Sequence, residues 1–223
     1  MKVSIIIPTL NEADCLPATL RRVRSQPDPK EIVVVDGGSE DGTRDVARDF
    51  GVRCLSAPRG RSLQMNRGAA HTSGDALLFL HADTLLPPAG LSTVRQTLSP
   101  PGVAAGIFRL RFDRETPLLR LYAWATHLNW IRLAFGDRAL FVTRPAFEAV
   151  GGYPEWPIFE DLELADRLHR RGGFRFVDDA VVTSARRFQK HGTVRQQLRN
   201  TYLWMHYCAG TEPDAVAHVY EYE

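Results

Sequence analysis

Four short apolar runs, rich in β-branched residues, alternate with segments of helical periodicity in the first half of the chain, and few folds accommodate such an alternation. The runs cover residues 3–7, 31–35, 52–55 and 76–80; helical spacing links Leu16, Leu20 and Val23, and then Val46, Ala47 and Phe50. Strands that alternate with helices form βαβ units, and continuously apolar strands are covered on both faces. The pattern predicts an α/β fold with a mostly parallel central sheet and helices on both faces.

The second half of the chain has a weaker periodicity. Residues 106–112 alternate like a half-buried strand, and residues 140–142 form another apolar run. The other predicted elements are a long apolar-rich helix over 116–134, a loop over 151–159, a helix carrying Leu162, Ala165, Leu168 and His169, and a final helix over 193–209. The 223 residues contain no repeat or linker and predict a single domain.

Charge and cysteine content narrow the class of protein. Lys and Arg total 28 against 26 Asp and Glu, a net charge of +2, which argues against a protein that coats nucleic acid. The three cysteines include no C-x-x-C pair, so we expect free thiols in a reducing compartment, the cytoplasm. No apolar stretch approaches the roughly 18 residues of a membrane span, so neither secretion nor membrane spanning is expected.

Polar clusters follow three of the four apolar runs. They are residues 8–12 (PTLNE), 36–43 (DGGSEDGT) and 81–84 (HADT). Ligands of open α/β sheets bind beyond the carboxyl ends of the strands, and Gly37 and Gly38 allow a ligand to approach the backbone closely. The acidic strand ends favour a divalent cation between a carboxylate and a diphosphate.

Each cluster taken alone also fits a local structural role. Asn11 or Asp14 can cap a helix, and Asp41 can cap the next one after a turn at residues 37–43. Neither G-x-G-x-x-G after the first strand nor G-x-x-x-x-G-K-[ST] occurs in the sequence. The common dinucleotide and P-loop sites are therefore not predicted.

Six segments of the chain, in order, resemble the motifs of glycosyltransferase family 2, whose members are nucleotide-sugar-dependent enzymes of the GT-A fold. They are residues 4–13, 33–44, 60–71, 77–85, 135–145 and 159–169. The resemblance is strongest to small, soluble bacterial members, and it implies a GT-A type, Rossmann-like sheet in one domain, residues 1–223. Residues 1–100 would bind the nucleotide sugar, 101–192 would hold acceptor and catalytic groups, and 193–223 would form a C-terminal helix and tail.

The resemblance implies an inverting glycosyltransferase that moves a single sugar from a nucleoside-diphosphate sugar to an acceptor hydroxyl, with Mg²⁺ or Mn²⁺ as cofactor. The sequence assigns neither the acceptor nor the oligomeric state. A non-catalytic nucleotide-sugar-binding protein and a nucleotidyltransferase are the alternatives. The second is disfavoured because residues 8–14 (PTLNEAD) stand where nucleotidyltransferases carry a glycine-rich basic loop.

Carried over residue by residue, the resemblance implies two groups of donor-binding residues. Pro8, Thr9, Glu12 and Asp36 would surround the nucleoside, with Asp36 on the base and Gly38 in the loop that follows it. Gly60 and Arg61 would line the nucleotide pocket.

The metal motif of the family departs from its usual form in this chain. The last Asp of D-x-D, which holds the metal on the diphosphate, is Asp83, but His81 replaces the first Asp. Histidine is a good ligand for Mn²⁺ or a donor to phosphate. Alternatively, His81 fills a polar strand end, and its departure from the motif is the only sequence support for a non-catalytic protein.

The catalytic base of the family lies in an E-D pair at the start of a helix, matched by Glu160 and Asp161. One carboxylate must lie near the acceptor hydroxyl and take its proton. A helix N-terminus favours the ionised carboxylate, and we expect Asp161 to be the base. Acidic residues at such positions are also common capping residues, which is the alternative.

Positive charge must meet the departing diphosphate. The candidates are Arg186, Arg187 and His191, the last also as a metal ligand, and the alternative is a solvated basic loop. Residues 196–199 resemble the start of the Q-x-x-R-W motif of processive relatives, but Asn200 replaces Trp, so polymerisation is not expected.

Two further hypotheses concern the acceptor. The apolar segment 116–134 is either a buried helix that covers the sheet or a face for an apolar acceptor or for peripheral membrane contact. The loop 151–159, with Tyr153 and Trp156, runs directly into the E-D pair and is expected to close over the acceptor.

Overall fold

The structure of the protein, a computed structural model, describes residues 1–27 and 30–219, without the side chains of Lys190 and His191. Within those ranges eight strands form one curled sheet, in the order β3-β2-β1-β4-β7-β6-β8-β5. The strands are β1 (Val3–Thr9), β2 (Lys30–Asp36), β3 (Arg53–Ser56), β4 (Ala76–Phe79), β5 (Thr84–Leu85), β6 (Ala105–Phe112), β7 (Leu140–Thr143) and β8 (Phe174–Thr183). The strands β3, β2, β1 and β4 are parallel, as are β6 and β8, so the predicted mostly parallel sheet is confirmed.

Helices cover both faces of the sheet, as predicted. They are α1 (Leu16–Arg24), α2 (Thr43–Asp49), α3 (Arg61–Ala70), α4 (Gly90–Leu98), α5 (Pro117–Ala125), α6 (Arg144–Ala149), α7 (Glu160–Arg170), α8 (Arg186–His191), α9 (Thr193–Cys208) and α10 (Pro213–Ala217). Successive residues of a strand point to opposite faces. Ile6 of β1 therefore packs in one core with Met65 of α3, while Ile5 packs in the other with Leu20 of α1. None of the helices within the described ranges is long and apolar enough to cross a membrane.

The direction of β7 determines which chain segments meet at the functional edge. This strand runs antiparallel to both of its neighbours, β4 and β6. Its amino end therefore lies at the same edge as the carboxyl ends of β1, β4, β6 and β8. Residues just before β7 and just after β8 join the polar clusters that follow β1 and β4.

The prediction of one long helix over residues 116–134 is wrong. The helix α5 ends at Ala125 and two short 3₁₀ turns follow, Thr126–Leu128 and Ile131–Leu133. Arg109 of β6 donates to the backbone carbonyl of Thr126 and to the side chain of Asn129, whose φ of 52° lies in the left-handed region. A tertiary contact therefore ends the helix where the sequence periodicity continues.

The segment is not a buried cover of the sheet either. Leu119 is the buried residue of α5, whereas Leu121 and Trp124 are each 59% exposed. The hypothesis of an exposed apolar face is the one that fits this structure.

Candidate active site

A cavity of about 260 Å³ opens at the edge where β1, β4 and β8 end. It brings together residues from both halves of the chain. The sequence-predicted residues that line it are Pro8, Thr9, Glu12, Gly60, Arg61, His81, Asp83, Glu160, Asp161, Arg186 and Arg187. The motifs that lie far apart in sequence thus form one site.

The floor of the cavity is held by Gln64 of α3. Its Nε2 atom donates to the carbonyl oxygens of Thr9 and Val35, each at 2.7 Å, and so joins the ends of β1 and β2. A Cβ atom at Gly37 would lie only 3.1 Å from this Nε2, so the absence of a side chain at Gly37 leaves space for the side-chain amide of Gln64. Gly60 begins α3 with a φ of 142°, which L side chains rarely adopt.

Asp36 and Gly38 do not line this cavity. The carboxylate of Asp36 is fully buried and accepts hydrogen bonds from the backbone amides of Gly38 and Ser39 and from Nε of Arg44, at 2.7 Å. In this structure Asp36 therefore orders the loop after β2. Its role on the base stays a prediction.

Arg186 lies between two acidic residues of the cavity. Its Nη2 atom donates to Oε1 of Glu12 and lies 3.5 Å from Oδ2 of Asp83. Burial raises the pKa of Glu12, and Arg186 opposes that shift. The guanidinium of Arg186 is therefore held by charge at the wall of the cavity.

Asp83 has the chemistry of a ligand for a hard divalent cation, because its partly exposed carboxylate faces the cavity. No group of three His, Cys, Asp or Glu side chains with metal-site geometry occurs in residues 1–27 and 30–219. Mg²⁺ commonly takes one or two carboxylates and completes its shell with phosphates and water. The residues present fit a cation that is shared with a bound diphosphate.

His81 is a neutral imidazole in this site. Burial and the nearby guanidinium groups of Arg61, Arg187 and Arg186 lower its pKa to about 3. A neutral imidazole has one donor nitrogen and one acceptor nitrogen. It can therefore donate to a phosphate or bind a metal, but it adds no positive charge. The side chain of His191 lies outside the described part of the structure.

Glu160 and Asp161 begin α7 and are both buried. Oε1 of Glu160 lies 3.5 Å from Nε of Arg61, and burial raises the pKa of Glu160 while Arg61 lowers it. Glu160 therefore has a cationic partner across the cavity. The first turn of α7 carries a partial positive charge, which favours ionised carboxylates at both positions.

Part of the loop 151–159 is fixed to the core of the protein. Tyr153 is buried in the core, edge-on to Phe79 at 4.9 Å between ring centroids. Asn66 of α3 holds its backbone with two hydrogen bonds, of 3.0 Å from the amide and 2.9 Å to the carbonyl. Tyr153 is therefore not available to an acceptor, and that part of the hypothesis is wrong.

Sequence reasoning missed Asp137, which lines the cavity just before β7. Its Oδ1 atom is buried and has no hydrogen-bond partner in the described ranges, and burial raises the pKa of the carboxyl to about 6. In a parallel sheet the ligand-facing residues follow the strands. An antiparallel strand contributes the residues before it instead.

The fold and this cavity define an α/β protein with a ligand site at the carboxyl edge of its sheet. Residues 4–152 match the model of glycosyl transferase family 2, and the chain belongs to this family. Glu160, Asp161 and Arg186 lie beyond the matched residues.

Two curated relatives illustrate the similarity. A probable glycosyltransferase YdaM of Bacillus subtilis is 26% identical over 211 residues, covering 81% of this chain and 50% of the relative. A PGL/p-HBAD biosynthesis glycosyltransferase of Mycobacterium bovis is 45% identical over 163 residues, covering 67% of this chain and 62% of the relative. The chain thus spans about half to three fifths of these relatives.

Solved structures with the same fold include two glycosyltransferases. The mannosyltransferase PcManGT of Pyrobaculum calidifontis, in complex with GDP-Man and Mn²⁺, has a TM-score of 0.71 at 21% identity and covers 97% of this chain and 67% of its own. Glucosyl-3-phosphoglycerate synthase of Mycobacterium tuberculosis, in complex with Mg²⁺ and UDP, has a TM-score of 0.66 at 18% identity and covers 94% and 80%. These similarities confirm the predicted GT-A type of fold.

Proposed function

We propose that the protein is an inverting glycosyltransferase that moves one sugar from a nucleoside-diphosphate sugar to an acceptor hydroxyl with Mg²⁺ or Mn²⁺. The observation that carries this proposal is the shared cavity, where Asp83 and Arg186 lie with the buried carboxylate of Asp161. A binding protein needs the first two, whereas glycosyl transfer also needs a base.

The donor occupies the side of the cavity formed by the first half of the chain. Pro8, Thr9 and Glu12 contact the nucleoside, and Gly60 and Arg61 contact the nucleotide from the start of α3. The domain division expected from the family places these residues in 1–100 and the acceptor side in 101–192. Two structures of the same fold contain UDP or GDP-Man, which supports a nucleotide as the ligand.

The diphosphate side carries the guanidinium groups of Arg186 and Arg187 beside the carboxylates of Glu12 and Asp83. Asp83 would hold the cation, with His81 beside it, and such a cation would supply positive charge to the departing diphosphate. Arg186 and Arg187 face the same oxygens. The Mn²⁺ and Mg²⁺ complexes of the relatives support such a cation.

Asp161 is the general base. The acceptor oxygen forms a bond to C1 of the sugar from the face opposite the diphosphate, and the C1–O bond breaks with its electron pair moving to the diphosphate. The proton of the acceptor hydroxyl moves to the carboxylate of Asp161. The family resemblance favours Asp161, and Glu160, whose Oε1 lies 3.5 Å from Nε of Arg61, is the alternative. The three free cysteines in the described residues fit a cytoplasmic location.

A calorimetric thermal-shift experiment tests donor binding. We expect UDP or GDP with Mn²⁺ or Mg²⁺ to raise the melting temperature of the wild-type protein, because a ligand of the native state stabilises it. Asp83→Asn should lose the cation-dependent part, whereas the nearby exposed Asp14→Asn should keep it. A wild-type protein that no nucleoside diphosphate stabilises would contradict the proposal.

A further inference from the structure

A second cavity, of about 240 Å³, lies between α5 and α9. Leu118, Leu121 and Ala125 form one wall, and Thr201 and Trp204 form the other. We call this cavity the α5–α9 groove. Most of these lining residues are apolar, whereas the cavity described above is lined by many charged residues.

The groove is continuous with the charged cavity. Tyr122, Phe135, Asn200 and Trp204 line both. The rings of Tyr122 and Phe135 stack with their centroids 6.2 Å apart, where the two cavities meet. A molecule that occupies the groove can therefore reach the charged cavity without leaving the protein surface.

The wall formed by Trp204 is preorganised. Its indole Nε1 donates to the carbonyl of Arg132 at 2.8 Å, and Trp130 packs edge-on against it at 5.6 Å. A fixed aromatic wall costs little conformational entropy when a ligand binds. Leu121 is 59% exposed on the opposite wall, so a ligand would remove apolar surface from water there.

We propose that the α5–α9 groove binds the apolar body of the acceptor, which is an amphiphilic alcohol with a hydrocarbon portion. The hydroxyl end of this alcohol lies in the charged cavity, where the carboxylate oxygens of Asp161 and Asp137 accept its hydrogen bond. This assignment of the substrate class rests on the proposed function, but hydrocarbon binding in the groove is measurable without any transfer reaction.

Isothermal titration calorimetry with octyl β-D-glucopyranoside, below its critical micelle concentration, tests the groove directly. Methyl β-D-glucopyranoside has the same headgroup without the chain and is the matched probe. Leu121→Asp places a charge in the groove and Thr201→Trp fills it; both positions are exposed, so both variants should fold. Leu198→Asp is the control, because Leu198 is 67% exposed on α9 and does not line the groove.

We expect saturable binding of the octyl compound alone, weakened about fivefold or more by Leu121→Asp and Thr201→Trp and unchanged by Leu198→Asp. The proposal that the groove binds hydrocarbon would be overturned if both glucosides bound equally well. It would also be overturned if Leu198→Asp weakened binding of the octyl glucoside as much as the groove variants do. UDP and GDP titrations on the same samples separate the two proposals. Normal nucleotide binding without binding of the octyl glucoside would refute only the proposed hydrocarbon site in the groove. Binding of the octyl glucoside without nucleotide binding would refute only the proposed donor site.

Discussion

Nη2 of Arg186 lies 3.5 Å from Oδ2 of Asp83 while the same guanidinium donates to Glu12, so one guanidinium faces the carboxylates of both residues. Without ligand, Arg186 supplies the positive charge that a bound metal would bring to Asp83. From this contact we predict that a divalent cation and Arg186 compete for this carboxylate when no diphosphate is bound.

Removing the guanidinium should change cation and nucleotide affinities in opposite directions. Arg186→Gln should bind Mn²⁺ alone about two- to fivefold more tightly, the range expected for a partly exposed ion pair, and should bind UDP or GDP more weakly. Isothermal titration calorimetry measures both, with the exposed Arg195→Gln as control. Weaker Mn²⁺ binding by Arg186→Gln would contradict this competition.

Replacing the base should separate chemistry from donor binding. Asp161→Asn keeps the size of the side chain and removes proton acceptance, so single-turnover transfer should fall by roughly 10² to 10⁴-fold with unchanged donor affinity. Glu163→Gln, which removes a carboxylate paired with Arg167 on the same helix, is the control. Near-native transfer by Asp161→Asn would move the role to Glu160.

Asp137 should make the protein less stable as the pH rises. Burial raises the pKa of this carboxyl from 3.8 to about 6, so the folded state holds the proton more tightly than the unfolded state. The stabilisation is complete below pH 4 and is lost as the pH rises through 6. Asp137→Asn should remove this loss, which amounts to roughly 1 to 3 kcal/mol at pH 7.5.

Urea denaturation at pH 4.5 and pH 7.5 checks this prediction. The gain in unfolding free energy of Asp137→Asn over wild type should be larger at pH 7.5. The exposed Asp49→Asn should show no such difference. An equal gain at both pH values would show that Asp137 does not titrate in this range.

A methyl group at Gly68 should disturb the contact of α3 with the sheet. A Cβ there would lie 2.4 Å from Cγ2 of Ile6 and 3.1 Å from Cγ2 of Val35, so Gly68→Ala should cost about 1 to 3 kcal/mol of stability. Nucleotide binding should weaken too, since α3 carries Gly60 and Arg61 into the cavity. Gly42→Ala, whose Cβ has ordinary contacts, is the control. Urea denaturation of both variants measures the loss of stability, and titration with UDP or GDP measures the loss of nucleotide affinity.

The sequence predicts the fold best where local pattern and burial agree. The strands β1, β2 and β4 are continuously apolar because both of their faces are covered, so their runs are visible without a structure. Helix α3 was not predicted, because it packs on the sheet through small and polar residues such as Gly68 and Gln64. Its register depends on the neighbouring strands rather than on an apolar stripe.

The residues of the site also divide into those that the local sequence pattern predicts and those that depend on contacts between distant segments. Glu12 and Asp83 follow β1 and β4, so their convergence is expected from the direction of two predicted parallel strands. Arg186 follows β8, a strand that the sequence periodicity did not predict. Asp137 and the early end of α5 depend on the antiparallel placement of β7 and on the contact of Arg109 with Thr126. Such contacts join residues distant in sequence, and no local periodicity reports them.

The reversed direction of β7 also has a consequence for protein engineering. The connection from β6 to β7, residues 113–139, leaves and returns at the same edge of the sheet, so its two ends are fixed by neighbouring strands. This one stretch carries the α5 wall of the groove together with Phe135 and Asp137. We predict that a loop graft can exchange this stretch as a unit, and that such a graft would change the proposed acceptor preference while keeping the proposed donor-binding residues.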